Sequence, residues 1–208
     1  MARVDFSLYL VTDRHQAGGR PLQEVVSAAL RAGVRAVQLR EKDLPTRPLL
    51  GLARELTDLA RPYGARVLVN DRADVCLAAG SDGTHLPAAG LRPAAARRVL
   101  GPDRLIGASA HSADAAVRAE TEGADFIVLG PIFETPSKRA FGHPIGLGEL
   151  ERARMRCRVP LFAIGGVTAA RVREVVKAGA HGVAVVGSVM AADDVERAAR
   201  ELLTALDL

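Results

Sequence analysis

The 208-residue chain carries 28 lysines and arginines against 24 acidic residues, so its net charge is +4, and 49% of its residues are hydrophobic. This composition indicates a globular chain that can enclose a large core, and it excludes an intrinsically disordered one. Aromatic residues make up 3% of the chain and tryptophan is absent, so a nucleic-acid surface with stacking side chains is not expected. The slightly basic balance instead favours a site for anionic small molecules.

The sequence also predicts a cytoplasmic protein without a membrane partner. No apolar run approaches the ~20 residues that span a bilayer, and the first residues lack the apolar segment of a signal peptide. Cys76 and Cys157 lie far apart and form no CxxC motif, so we expect two buried thiols in a reducing compartment. A homo-oligomer is left open.

The predicted elements alternate between strand and helix along the chain. Short apolar and β-branched runs predict strands, and amphipathic runs that end near glycine or proline predict helices. The expected strands span Ser7–Thr12, Val34–Arg40, Arg66–Asn70, Gly83–Leu86, Leu105–Ser109, Asp125–Gly130, Pro160–Ile164 and Gly182–Val186. The expected helices span Pro21–Arg31, Thr46–Ala60, Asp71–Ala79, Pro93–Leu100, Ala113–Glu122, Leu147–Arg156, Thr168–Ala178 and Asp194–Leu206.

Eight strands and eight helices in strict alternation predict a parallel sheet with helices outside it. Dividing 208 residues by eight units gives 26 residues per unit, which is enough for one strand–helix repeat. Eight units are the number that closes into a (β/α)8, or TIM, barrel, so we expect one such domain over residues 1–208. A doubly wound open sheet is the alternative, although it usually contains fewer units.

In such barrels the functional side chains lie where the strands end. Side chains alternate along a strand, so Gln38, Arg40 and, if the backbone stays extended, Lys42 share one face, and Val37 and Leu39 share the other. We expect helices to cover the apolar face. We interpret the polar face as the site of a substrate phosphate or diphosphate between the two cations, because like charges otherwise repel. A solvated edge strand is the alternative.

Two glycine-containing loops are candidates for binding a phosphate. Gly165-Gly166 follows the seventh strand and Gly187-Ser188 follows the eighth, which is the usual phosphate site of these barrels. Glycine lets backbone N–H groups approach an anion closely. Ordinary tight turns are the alternative.

The longest loop, Pro131 to Ile145, is interpreted as a lid over an anion. It contains the hydroxyls of Thr135 and Ser137 and the cations of Lys138 and Arg139. Long loops in compact barrels are usually functional. A solvated loop is the alternative.

Three further polar residues have two readings each. Asp71, directly after Asn70, either holds Mg²⁺ beside a diphosphate or caps the helix that follows. His85 and His111 are candidate ligands or bases, but a core or hydrogen-bonded histidine is the commoner case.

A series of motifs, in order and nearly from end to end, resembles thiamine phosphate synthase. They are YLVTD (9–13), VQLREKD (37–43), VNDRAD (69–74), DGTHLP (82–87), GASAHS (107–112), GADFIVLGPIFETPSK (123–138), AIGGVT (163–168) and AGAHGVAVVGSV (178–189). The resemblance implies that a hydroxymethylpyrimidine diphosphate loses diphosphate and that the nitrogen of a thiazole phosphate captures the carbocation-like methylene. The products would be thiamine phosphate and diphosphate.

The resemblance also implies a role for particular residues. Arg40, Lys42, Ser109 and Lys138 would act in catalysis, and Asp71 would bind Mg²⁺. The pyrimidine diphosphate would be held by Gln38, Arg40, Lys42, Asn70, Ser109 and Lys138. The thiazole phosphate would be held by Thr135, Ser137, Gly166, Val186 and Gly187, with Gly165 in the same glycine turn.

The sequence departs from the family pattern at the metal site. Gly90 stands where the family usually has an aspartate that is a second metal ligand. The related thiazole tautomerase often lacks that aspartate, but it commonly has a catalytic histidine where this chain has Pro131. The tautomerase, with His111 as its base, and a non-catalytic barrel that binds phosphate ligands are therefore the alternatives to the synthase.

Overall fold

The computed structural model describes residues 4–135 and 143–207. Within them, parallel strands pair in sequence order, and β8 also pairs with β1, so the sheet closes into a barrel. The strands are β1 (Leu8–Val11), β2 (Ala36–Leu39), β3 (Arg66–Asn70), β4 (Gly83–Leu86), β5 (Leu105–Ala110), β6 (Phe126–Leu129), β7 (Leu161–Ile164) and β8 (Gly182–Val185). The TIM barrel is confirmed, and the doubly wound open sheet is wrong.

Helices follow the strands in turn on the outside of the barrel. The α-helices in the described residues are α1 (Leu22–Ala32), α2 (Thr46–Ala60), α3 (Ala73–Ala79), α4 (Pro93–Leu100), α5 (Ala113–Thr121), α6 (Gly146–Arg156), α7 (Ala169–Lys177), α8 (Gly187–Met190) and α9 (Val195–Leu206). Short 3₁₀ turns occupy Arg14–Gln16 and Arg61–Tyr63. The sequence reading missed α8, whose single turn is too short to produce a helical period.

Local chemistry sets several of the helix ends. Gly33 ends α1 with a φ of +114°, and its N–H bonds back to carbonyls of the last turn, as expected for a glycine that stops a helix. Ser112 begins α5, and its side chain accepts a hydrogen bond from Ala115 N–H. Asp194 caps α9 in the same way through Arg197 N–H. The two side-chain caps satisfy N–H groups of the first helical turn and so fix where these helices begin. The carboxyl ends of the parallel strands meet at one mouth of the closed barrel.

The barrel interior is closed below this mouth by aromatic rings. Phe6, Tyr9, Phe126 and Phe162 contact one another with ring centroids 5.3 to 6.3 Å apart. The residues between the inward-pointing positions pack against the helices, as Val37 and Leu39 of β2 do. Polar side chains inside the barrel therefore lie above an apolar floor.

No helix in the described ranges is both long and apolar enough to cross a membrane.

The closure of the barrel between β8 and β1 depends on a glycine, and this can be tested. A Cβ at Gly182 would overlap with the carbonyl oxygen of Ser7, whereas a Cβ at Gly51 on α2 would meet nothing within 4 Å. We expect Gly182→Ala to lower the free energy of unfolding by about 2 kcal/mol or more, because backbone has to move. Gly51→Ala should raise it by about 0.5–1 kcal/mol. Urea unfolding followed by circular dichroism measures both, and equal effects of the two changes would contradict this account.

Candidate active site

The end of β2 divides its side chains between the barrel interior and the helices. Gln38 is 3% exposed, and its Nε2 donates to the Tyr9 hydroxyl at 3.3 Å inside the barrel. Arg40 is half-buried and its backbone N–H donates to Thr12 Oγ1 at 2.9 Å. The strand ends at Leu39, however, and Lys42 lies exposed in a turn. The extended backbone that would have put Lys42 on the same face as Gln38 and Arg40 therefore does not persist.

Between the two cations lies a buried acid that the sequence reading did not weigh. Glu41 is 4% exposed, and its carboxylate accepts hydrogen bonds from the Thr12 hydroxyl at 2.7 Å and from the backbone N–H and guanidinium of Arg14. The Arg14 guanidinium also donates to the exposed Asp43. The Glu41 carboxylate thus joins the loop after β1 to the loop after β2. An acid flanked by two basic residues was the available signal.

Lys42 reaches the candidate site through a neighbouring cavity instead. This cavity, about 340 Å³ in volume, connects the ends of β2 and β3 with the loop after β4. Its lining includes Leu39, Glu41, Lys42, Leu44, Leu49, Asn70, Asp71, Arg72 and Pro87. Three predicted site residues from two neighbouring strand ends, Lys42 after β2 and Asn70 and Asp71 at the end of β3, therefore line one cavity. A larger groove of about 620 Å³ lies between α1 and the start of α9, outside the barrel.

Asp71 does not cap the helix that follows it. Helix α3 begins only at Ala73, its N-cap is Arg72, and no side chain caps it. Asp71 instead adopts a left-handed φ of +64°, and its N–H donates to the His85 carbonyl at 2.9 Å. A non-glycine residue with positive φ is uncommon and costs free energy, which is a reason to assign its carboxylate a function at the mouth.

Gly90 lies beside the Asp71 carboxylate. A Cβ at position 90 would be 2.8 Å from Asp71 Oδ1 and equally close to the Pro87 ring. Position 90 thus lies where a second carboxylate would have to join Asp71, but this turn leaves it no space. Among the described residues, no three acidic, histidine or cysteine side chains gather around one point.

His85 and Ser109 form a pair at the inner edge of the mouth. His85 Nε2 lies 2.9 Å from Ser109 Oγ. Burial of the imidazole, and after it the positive charge of Arg40, lowers the pKa of His85 to about 3. His85 is therefore a neutral hydrogen-bonding residue at physiological pH, and the Arg40 charge is close enough to affect it. The exposed His111 bonds through Nδ1 to the Gly130 carbonyl at 2.6 Å.

The two glycines after β7 pack against the loop that follows β6. Gly165 and Gly166 have φ values of +96° and +65°, and the Phe133 N–H donates to the Gly165 carbonyl at 3.0 Å. Thr135, which is half-buried, lies two residues farther along that loop. Arg171 supports the turn, because its guanidinium donates to the Gly166 carbonyl and stacks 4.6 Å from the Phe133 ring centroid. The glycine turn and the start of the predicted lid are thus adjacent.

The turn after β8 lies beside the loop after β1. Val186 directly precedes α8. Gly187 is the first residue of α8 and not part of a loop. A Cβ at Gly187 would be 2.9 Å from Gln16 Oε1. Two predicted site residues, Ser137 and Lys138, lie outside the described residues.

The arrangement suits an anion that is larger than one phosphate. Lys42 and Asn70 line the cavity at the ends of β2 and β3. The positive charge of Arg40 is close enough to His85 to lower the pKa of that imidazole, and Ser109 is the hydrogen-bonding partner of His85. Fixed donors and cations at a closed aromatic floor stabilise negative charge more strongly than they would in water.

The chain is similar to one family of known proteins. A family model described as thiamine monophosphate synthase matches residues 8–189. A protein of Geobacter sulfurreducens that is provisionally named a thiamine-phosphate synthase is 52% identical over 206 residues, which cover 99% of this chain and 97% of that protein. The thiamine-phosphate synthase of Moorella thermoacetica is 44% identical over 197 residues, covering 95% of this chain and 94% of the relative.

One solved structure is similar over nearly the whole chain. The thiamine phosphate pyrophosphorylase from Pyrococcus furiosus superposes with a TM-score of 0.88 at 37% sequence identity, over 97% of this chain and 96% of that one.

The buried Glu41 offers a test of how the mouth is held. We expect Glu41→Ala to lower the free energy of unfolding by about 3 kcal/mol, because the Thr12 hydroxyl and the Arg14 guanidinium lose their shared acceptor. Asp43→Ala, which removes the exposed partner of the same arginine, should cost about 1 kcal/mol or less. Chemical unfolding of the two variants gives the comparison, and a larger loss for Asp43→Ala would refute this assignment.

Proposed function

The chain belongs to the thiamine monophosphate synthase family, and we propose that it catalyses the synthase reaction itself. It joins 4-amino-2-methyl-5-(diphosphooxymethyl)pyrimidine to a thiazole phosphate and releases thiamine phosphate and diphosphate. The observation that carries this proposal is that Lys42, Asn70 and Asp71 line one cavity at the strand ends, while the positive charge of Arg40 lies near His85 on the adjoining strand β4. Such a mouth fits a diphosphate leaving group.

The reaction breaks one bond and forms another. The bond between the pyrimidine methylene carbon and the diphosphate oxygen breaks, and its electron pair leaves with the diphosphate. The lone pair of the thiazole nitrogen then forms the new carbon–nitrogen bond, which gives a thiazolium without any proton transfer. The demand on the protein is therefore electrostatic, and donors fixed at the leaving group can supply several kcal/mol of barrier lowering.

Each proposed substrate half has its own group of residues. The pyrimidine diphosphate is held by Gln38, Arg40, Lys42, Asn70, Ser109 and Lys138. The thiazole phosphate is held by Thr135, Ser137, Gly165, Gly166, Val186 and Gly187. Within the described part of the chain, support comes from the contact of the Gly165 turn with the loop after β6, which brings Thr135 towards Gly166.

Asp71 is the residue proposed to hold Mg²⁺. A carboxylate oxygen is a ligand that Mg²⁺ prefers, and Mg²⁺ is commonly held by one or two carboxylates together with phosphate oxygens and water. Glu41 lines the same cavity, but its carboxylate is bonded to Thr12 and Arg14, and a Cβ at Gly90 would crowd Asp71. Asp71 is therefore the carboxylate that fits the one-carboxylate form of such a site. When bound, Mg²⁺ would neutralise charge on the departing diphosphate.

Two properties of the protein stay predictions. These are its location in the cytoplasm and any assembly into a homo-oligomer.

Lys42 gives the sharpest test of the leaving-group site. We expect Lys42→Ala to lower kcat/KM for the pyrimidine diphosphate by about 10- to 100-fold, because a charge-assisted hydrogen bond is worth about 1.5–3 kcal/mol. Lys177→Ala, on the outer face at the end of α7, serves as the matched control and should leave turnover unchanged. The measurement is diphosphate release with both phosphorylated substrates and Mg²⁺.

Two measurements, diphosphate release and proton exchange, separate the synthase from its alternatives. A wild-type protein that binds both substrates but releases no diphosphate would exclude the synthase. Proton exchange on a thiazole carboxylate phosphate, without any pyrimidine, would instead identify a tautomerase.

The proposed metal site predicts that the affinity for Mg²⁺ depends on diphosphate. Calorimetric titration with Mg²⁺ should detect binding about tenfold tighter or more when inorganic diphosphate is present, because phosphate oxygens complete the ligand set of a single carboxylate. Asp71→Asn should abolish this gain, and Asp103→Asn, an exposed acid before β5, should retain it. A gain that survives Asp71→Asn would show that Asp71 is not the ligand.

A further inference from the structure

His85 occupies a niche that the barrel interior makes for it. The side chain is 2% exposed, and its ring centroid lies 5.7 Å from that of Tyr9 and 5.9 Å from that of Phe126. On the neighbouring strand β5, a Cβ at Gly107 would lie 2.6 Å from His85 Nδ1 and would overlap with the Phe126 ring. The absence of a side chain at position 107 is therefore what admits a polar ring among aromatic ones.

The hydrogen bonds of this imidazole are unequal. Nε2 lies 2.9 Å from Ser109 Oγ, whereas Nδ1 is buried without a hydrogen-bond partner among the described residues. A neutral imidazole carries a proton on one nitrogen only, and the other nitrogen is an acceptor. The pair has therefore two arrangements, which differ in whether the histidine or the serine donates.

The surroundings of Nδ1 distinguish these arrangements. If the serine donated to Nε2, the imidazole proton would be on Nδ1, as a buried donor without an acceptor. Nδ1 and the edge of the Phe126 ring both approach the position that a Cβ at Gly107 would occupy. The edge of an aromatic ring is its positive part. A bare lone pair on Nδ1 suits that edge better than an N–H does, so the proton belongs on Nε2.

We propose that His85 is a positioning residue, whose Nε2–H donates to Ser109 Oγ and leaves the serine hydroxyl proton to be donated to the anionic substrate. Ser109 lies on the same face of β5 as Gly107 and is half-buried at the mouth. A serine that accepts from the histidine can give its own proton to a diphosphate oxygen. A serine that donates to the histidine could offer that oxygen only lone pairs.

This inference rests on the proposed role of Ser109 in holding the diphosphate substrate, but its first test needs no turnover. Long-range proton–nitrogen NMR on the ¹⁵N-histidine-labelled protein reports which ring nitrogen carries the proton. The chain has five histidines, and the signals missing from His85→Gln identify those of His85. A proton on Nε2 and a bare Nδ1 are expected. A proton on Nδ1, or on both nitrogens, would overturn the proposal.

The second test asks whether His85 acts through Ser109. Ser109→Ala and His85→Leu should each weaken the binding of inorganic diphosphate about tenfold. The dissociation constant of the double variant should exceed that of either single variant by no more than about twofold. His85→Gln can place an amide N–H near the position of Nε2, so it should recover most of the affinity. Calorimetry gives these dissociation constants, and urea unfolding shows whether each variant folds.

The outcomes separate the inference from the proposed function. Losses that multiply in the double variant, or an unchanged affinity in Ser109→Ala, would overturn the positioning role. A wild-type protein that binds diphosphate and shows the expected cycle, but does not turn over, would refute the synthase and leave the positioning role in place. If His85→Leu does not fold, the NMR result and the His85→Gln affinity decide.

Discussion

The closure of the parallel sheet fixes which face of every strand points inward, and the rest of the site depends on this constraint. Once β8 pairs with β1, each residue of β2 faces either the barrel interior or the helices. Val37 and Leu39 pack under the helices, and Gln38 points to the interior. A shift of one residue would bury the amide against apolar helices without a partner and would turn the two aliphatic side chains into the barrel interior, so the register is strongly specified.

The electrostatics of the mouth follow from how the charges near β2 are divided. Four consecutive charged residues, Arg40 to Asp43, follow Leu39. Both acids among them bond to Arg14, and the buried Glu41 also accepts from Thr12. An unpaired carboxylate at position 41 would neutralise the neighbouring cations and repel a diphosphate. The Arg14 guanidinium keeps the buried acid paired, so the mouth stays positive without an unpaired charge in the barrel wall.

The alternation, the strand ends and the site region could be predicted from the sequence, because they depend on local periodicity and on a repeated unit. The fold and the inward position of Gln38 came from the period of two and the count of eight units. Lys42 was harder, because its path depends on a turn that follows Glu41, and the burial of Glu41 is decided by Arg14 on another strand–helix unit. The positive φ of Asp71 and the delayed start of α3 at Ala73 also depend on a long-range contact, the hydrogen bond of Asp71 N–H to His85. No local pattern records either contact.

Two glycines, Gly90 and Gly107, leave space beside polar side chains of the site. Gly90 leaves space that the Asp71 carboxylate needs, and Gly107 leaves space for a neutral imidazole. A larger residue at either position would place extra bulk or charge beside these two side chains. At the proposed Mg²⁺ site, one carboxylate instead of two would give the cation fewer protein ligands, but it would also leave more net positive charge for the diphosphate. Because the cations of the mouth would repel a free metal ion at close range, the proposed site favours a metal that arrives already bound to the phosphates over one that is bound beforehand.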